Sequence, residues 1–282
     1  MKTRSLLFVV LLVSLFFGCS KSEQIIPVGD NNFIAGMYNP YNRVQSLRMK
    51  SHIVGVECGD EQVPDHLVAR FFWSTEHLDS IIHYDDYAAP ETIRYHYDKL
   101  GRLKRVESSA VSNRDYVLGY EGSRLVSITR NVGEWLYEYT FTYTDDSDYP
   151  VAYAHHYKSL SVEGTDTYTL RWKDGNLVSA VCGANNDYYT IDSITYTYDT
   201  RTNPFCGFFS PDGLREFGIV HAPTFISRNN IVAITYHTDN GPVQNVFYSL
   251  NYKFSNDIPT QIIRDYENMF WCHISDTATL LY

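Results

Sequence analysis

Carboxylates are the most concentrated of the side chains that could do chemistry in this sequence. Asp145-Asp146-Ser147-Asp148 sets hard oxygen donors in one short stretch, the donor type that Ca²⁺ takes. The stretch lacks the distal Glu of a helix-loop-helix calcium loop, so it reads as a solvated turn, and Asp85-Asp86 reads the same way. His155 and His156 are adjacent on an expected strand, where successive side chains point to opposite faces and cannot share a metal. His221 and His237 are scattered, and no His-x-x-x-His or Cys-x-x-Cys spacing exists, so no metal site is expected. Nucleophile elbow, phosphate loop and dinucleotide fingerprint are all missing, so no cofactor is expected either. Paired carboxylates could hydrolyse a polysaccharide, but with 33 acidic residues some pairs arise without purpose. Tyr and Trp could stack on sugars or anchor a protein interface. With 24 Tyr at strand spacing, most of them read as sheet packing.

The cysteines carry a different chemistry. Lys2 and Arg4 precede an apolar run from Leu6 to Phe17, which is too short to span a bilayer, and the run ends at Gly18-Cys19. This segment resembles a bacterial lipoprotein signal, with cleavage after Gly18 and lipidation of Cys19. It departs from the usual pattern in that Phe16 and Phe17 stand where Leu and a small residue are more common. Several acyl chains, at about 0.8 kcal/mol per buried CH₂, would hold a domain firmly on a membrane. An ordinary secretory signal is the alternative. Ser20 to Asn32 is polar and reads as a tether. Ser20 does not resemble the Asp that retains lipoproteins at an inner membrane, and whether the protein faces the surface or the periplasm stays open. With Cys19 acylated, Cys58, Cys182, Cys206 and Cys272 remain. They are expected as buried thiols. A Cys58–Cys272 bond would instead staple the first repeat to the last, and so require a closed sheet.

The elements that must position these residues follow from a repeat. Pairs of apolar residues three apart recur at Val44/Leu47, Leu78/Ile81, Leu103/Val106, Leu125/Ile128, Leu177/Ala180 and Ile231/Ile234. Pro150 and Pro259 replace the first member in two further repeats, and Asn203-Pro204-Phe205 forms a degenerate one. The long first interval predicts an extra loop near Gly55 to Asp65. Alternating aromatic strands lead into most pairs, as in Tyr139-Thr-Phe141-Thr-Tyr143 and Ile194-Thr-Tyr196-Thr-Tyr198. Asp-x-x-Gly and Asp-Gly between them read as hairpin turns, and Asp98 to Gly101 predicts a type I turn closed by a Gly at positive φ. Residues three apart lie on opposite faces of a flat strand, so each pair needs a bulge, or its first member belongs to the turn.

The intact motif Tyr95-His-Tyr97-Asp98-x-x-Gly101-Arg102-Leu103-x-x-Val106 resembles the YD repeat of Rhs-type sheet proteins. From about residue 36 to 282 the chain is similar to a Bacteroides-type lipoprotein family of unknown function, described as having a porin-like fold. Its cues are the lipoprotein start, the degenerate hairpins, and Tyr196-Thr-Tyr-Asp199 running into Asn203-Pro204-Phe205. The resemblance implies a large antiparallel sheet or barrel and no assigned activity.

Together these features predict an all-β protein: residues 1–18 a signal peptide, 19–35 a lipidated Cys and tether, and 36–282 one repeat-built domain. The domain is a large antiparallel up-and-down meander of about 16–18 strands, a closed barrel or a strongly curved sheet. A parallel β-helix would not place hairpin turns between aromatic strands, and intervals near 27 residues do not fit a propeller blade. A transmembrane barrel shares the alternation, but an integral barrel needs no lipid anchor. The net charge of -10 argues against nucleic acid, which is bound by clustered Lys and Arg. The functional expectation is a cell-envelope, outer-membrane lipoprotein, held through Cys19, that serves as a non-enzymatic binding or structural module for glycan or protein. The alternatives are a polysaccharide hydrolase and a small-molecule carrier using the barrel interior. Asn203 to Asn230 breaks the hairpin rhythm with Phe205, Phe208, Phe209, Phe217 and Phe225 and is a candidate binding loop or plug.

Overall fold

The computed structural model describes residues 43–282, apart from 56–57, 75–76, 85–88, 110–114, 184–192, 204–226, 238–246, 257 and 268–272. Cys19, Asp85, Asp86, Cys206, His221, Cys272 and most of the Asn203 to Asn230 segment lie outside the described residues. The described residues form sixteen strands. The first eight are β1 (Ser46–Gly55), β2 (Gly59–Trp73), β3 (Leu78–His83), β4 (Glu91–Tyr97), β5 (Leu103–Ser108), β6 (Asp115–Glu121), β7 (Arg124–Val132) and β8 (Trp135–Thr142). The second eight are β9 (Ala152–Lys158), β10 (Glu163–Lys173), β11 (Asn176–Cys182), β12 (Ser193–Thr202), β13 (Asn229–His237), β14 (Phe247–Ser255), β15 (Ile258–Glu267) and β16 (His273–Leu281). Each pairs antiparallel with its sequence neighbours, and β1 pairs with β16 from Ser46↔Leu281 to Val54↔His273, which closes the barrel.

Period-two patterning decides which face turns inward. Along β10, Thr165, Thr167, Thr169 and Arg171 are exposed, while Asp166, Tyr168, Leu170 and Trp172 turn to the interior. The apolar pairs three apart occupy one end of that interior. Both members of each pair are buried: Leu103 and Val106, Leu125 and Ile128, Leu177 and Ala180 are all at 2% exposure or less. A bulge makes this possible. Tyr97 pairs with Leu103 and His96 with Arg105, leaving Lys104 as the extra residue that returns Val106 to the inner face. The same shift follows Leu78, Leu125, Leu177, Ile231 and Pro259.

Among the described residues, eight first members also accept a hydrogen bond from an aromatic side chain in the second half of the following strand or just beyond it. Tyr97, Tyr120, Tyr143, Tyr198, Tyr252 and Tyr282 donate their hydroxyls to the carbonyls of Leu78, Leu103, Leu125, Leu177, Ile231 and Pro259 at 2.5–2.9 Å. The indoles of Trp73 and Trp172 serve Val44 and Pro150 at 2.8 and 2.7 Å. The carbonyl beside each bulge thus gains a partner where the ladder is disrupted, and the phenol or indole is satisfied where it is buried. This explains why one aromatic residue and one apolar pair recur together in each repeat.

The Asp98 turn forms as its sequence predicts. Gly101 has φ 76°, its N–H donates to Asp98 O at 3.0 Å, and Asp98 Oδ1 accepts from the N–H groups of Leu100 and Arg102 at 2.8 and 3.0 Å. At the first interval the structure differs from the expectation. The extra residues lengthen β1 and β2 instead of making a loop, pairing Val54 with Asp60 and Gly55 with Gly59. Pro64 falls in the irregular register between Met49 and Ser51, where its missing N–H costs the ladder nothing.

Candidate functional site

The Asp145 to Asp148 stretch is a turn whose carbonyls face a cation already in the chain. Arg124 Nη2 donates to the carbonyls of Thr144, Asp145 and Ser147 at 2.9–3.2 Å, and its guanidinium lies 5.2 Å from the Tyr143 ring centroid. His155 and His156 point to opposite faces, as strand geometry requires. His156 is on the outside, with Nδ1 3.0 Å from Thr165 Oγ1 and Nε2 3.5 Å from Glu163. His237 pairs with Thr195 Oγ1 at 3.0 Å. Among the described residues no three His, Cys, Asp or Glu side chains converge as a metal site. The cysteines differ from the expectation of four thiols: Cys58 is disulfide-bonded, while Cys182 keeps its thiol, 3.5 Å from the Gly183 carbonyl. The turn between β1 and β2 brings Cys58 beside the barrel seam.

The interior beyond the apolar tier is polar and aromatic, and sequence reasoning did not single it out. On β7 to β10 the inward residues include Arg130, Trp135, Tyr137, Tyr139, His155, Tyr157 and Asp166, paired across strands as Arg130↔Tyr137, Tyr139↔His155 and His155↔Asp166. The His155 imidazole stacks on Tyr139 at 4.5 Å and 6°, lies 5.8 Å from Tyr137, and has Nδ1 3.8 Å from Asp166 Oδ2. Arg130 sits 5.0 Å from the Tyr116 ring and 6.0 Å from that of Tyr137. Tyr157 lies over Gly164 so closely that a Cβ there would meet its Cζ and Oη at 2.4 Å. Deeper in the wall Tyr153 stacks on Tyr168 at 4.5 Å, and burial pushes both phenols far above their ordinary pKa.

A second inward polar group stands on β15 and β16. Arg264 Nε donates to Asp276 Oδ2 at 2.8 Å, Nη2 approaches the same oxygen, and the guanidinium lies 4.6 Å from the Tyr266 ring. Both side chains are about as buried as the core, at 7% and 6% exposure. The signal that could have found these groups was present. Glu163-Gly-Thr-Asp166-Thr-Tyr168-Thr-Leu170 places one carboxylate in phase with inward aromatics, and Ile262-Ile-Arg264-Asp-Tyr266 does the same for a guanidinium.

The outer wall completes the geometry. Lys50, His52, Arg94, His96, Lys104, Arg105, Glu138 and the β10 threonines are exposed. Large exposed apolar side chains on the described strands, Val54, Phe72, Val117, Val181 and Leu281, are scattered over five strands instead of forming a belt.

These features define an all-β, sixteen-strand up-and-down barrel whose interior is apolar at one end and aromatic and polar beyond it, with a polar exterior. Among solved structures the chain is similar to a porin-like protein from Bacteroides vulgatus, at 12% identity over 86% of this chain and 98% of that one, with a TM-score of 0.48. It is also similar to a porin-like protein from Bacteroides uniformis, at 11% identity over 84% and 96%, with a TM-score of 0.32. At these values the barrel rests on its own strand pairing. No family model matches the chain, and no curated protein does.

Proposed function

We propose that the protein is a lipid-anchored component of the cell envelope, an outer-membrane lipoprotein whose barrel stands in water and serves as a non-enzymatic binding or structural module. The observation that carries this reading is the polarity of the wall. A barrel that crosses a bilayer turns an apolar band about 25 Å tall toward lipid and keeps its polar side chains inside. Here Thr, Ser, Lys, Arg and Glu cover the outside, while Leu, Ile and Tyr fill one end of the inside. Lys and Arg on the outer face would each cost about 2–4 kcal/mol at a bilayer midplane. The route to the membrane is then Cys19, through the signal-like run that ends there. The YD-like hairpins build the wall and carry no chemistry of their own.

Radiolabelled palmitate supplied to cells making the protein tests the anchor. The wild type takes up label and Cys19→Ser does not; equal labelling of both would contradict lipidation at Cys19.

A further inference from the structure

We propose that the inward tier of β7 to β10, centred on Tyr137, His155, Tyr157 and Asp166, is a binding site for a neutral oligosaccharide. This deepens the binding-module reading and rests on it. Four observations support the assignment.

The tier faces the barrel interior in unbroken register, and Trp135, Tyr137 and Tyr157 stay half-buried, whereas Phe141 and Tyr153, in phase with them on β8 and β9 toward the apolar end, are buried. The rings are ordered: Trp135 to Tyr137, Tyr137 to His155 and Tyr139 to His155 are parallel within 17°. Gly164 is a cradle. A Cβ there would displace the Tyr157 ring from its place over the backbone, and Gly164, the second residue of β10, has no positive φ that would itself call for glycine. Charge is nearly balanced, with the Arg130 guanidinium, the Asp166 carboxylate and an imidazole within one tier.

These properties select among ligand chemistries. A phosphorylated or strongly acidic ligand needs clustered cations, and the tier holds one guanidinium, on β7, and one carboxylate, on β10. A fatty acid needs an apolar cavity, and the inward residues of this tier are aromatic and polar, the main apolar cluster lying at the other end of the barrel. A sugar presents both faces found here: C–H surfaces that pack on aromatic rings, and vicinal hydroxyls that bond to a carboxylate, guanidinium or imidazole.

Calorimetric titration of the purified mature protein with cellohexaose, laminarihexaose, mannohexaose and chitohexaose, with palmitate and sialyllactose as comparison probes, tests the proposal. At least one neutral hexasaccharide is expected to bind with Kd between about 10 µM and 1 mM. Tyr137→Ala and Gly164→Ala should each weaken it at least about tenfold, while His156→Ala on the outer face leaves it unchanged. Circular dichroism confirms that each variant is folded. Binding of palmitate alone, of no probe, or of a hexasaccharide with equal affinity in wild type and both variants overturns the site assignment. Release of reducing ends from a bound hexasaccharide would leave the sugar site standing and overturn the non-enzymatic reading instead.

Discussion

Gly101 shows how a single residue carries a local rule. The turn after Tyr97 needs positive φ, and Gly101 supplies it at 76° with the His77 ring 3.4 Å from where a Cβ would stand. Valine there meets both the backbone penalty and the ring. Gly101→Val is therefore expected to cost about 1–2 kcal/mol and to lower the melting midpoint by about 2–4 °C per kcal/mol. An unchanged midpoint would refute the turn. Asp98 holds the same turn from the other side. Desolvation alone would raise its pKa, but hydrogen bonds from the Arg102 side chain and the Arg102 and Leu100 N–H groups outweigh it and leave the carboxyl below its usual range. This turn was legible because Asp-x-x-Gly between alternating strands has few other uses. Asp166 and Arg264 were not, because a charge in phase with aromatics reads as a solvated position until barrel closure shows which face is inside.

At the scale of elements, the apolar pairs three apart were visible in the sequence, whereas the bulge that reconciles them with strand geometry followed only as a requirement. Lys104 provides a direct check. It is exposed and contributes no apolar burial, so Lys104→Ala should stay within about 0.5 kcal/mol of wild type. Deleting Lys104 removes the extra residue, so Leu103 and Val106 can no longer both turn inward. Exposing either side chain forfeits about 1.5–3 kcal/mol of burial, and the deletion should lower the denaturant midpoint accordingly. Equal midpoints for the deletion and the alanine variant would contradict the bulge assignment. The lengthened β1–β2 hairpin was misread as a loop because Pro64, Gly55 and Gly59 are turn residues by type, and only the partner strand shows that one of them sits in a bulge and the others flank a tight turn. Cys58 was misread because a buried thiol and one half of a disulfide look the same in a sequence.

For the whole molecule, the repeated aromatic-to-carbonyl bonds couple stability to pH at the alkaline end. Burial pushes the Tyr120, Tyr143, Tyr198, Tyr252 and Tyr282 phenols above their ordinary value, and Tyr95 and Tyr153 further still. A raised folded pKa contributes stability that is complete below the unfolded value, about 10, and is lost as pH rises toward the folded one. Ionisation of these buried phenols should therefore coincide with loss of the β-sheet dichroism in one steep transition above about pH 10. Stepwise ionisation with the sheet intact would show that these phenols are not held by the fold. The central claim is that a water-facing barrel is held at the envelope by lipid alone, and cutting the chain between the two parts measures it. With a protease site placed in the Ser20 to Asn32 tether, isolated membranes carrying the protein are cleaved and sedimented. The account predicts that the folded barrel leaves with the buffer while the acylated stub stays in the pellet; a cleaved barrel that remains with the membrane until detergent is added would contradict it.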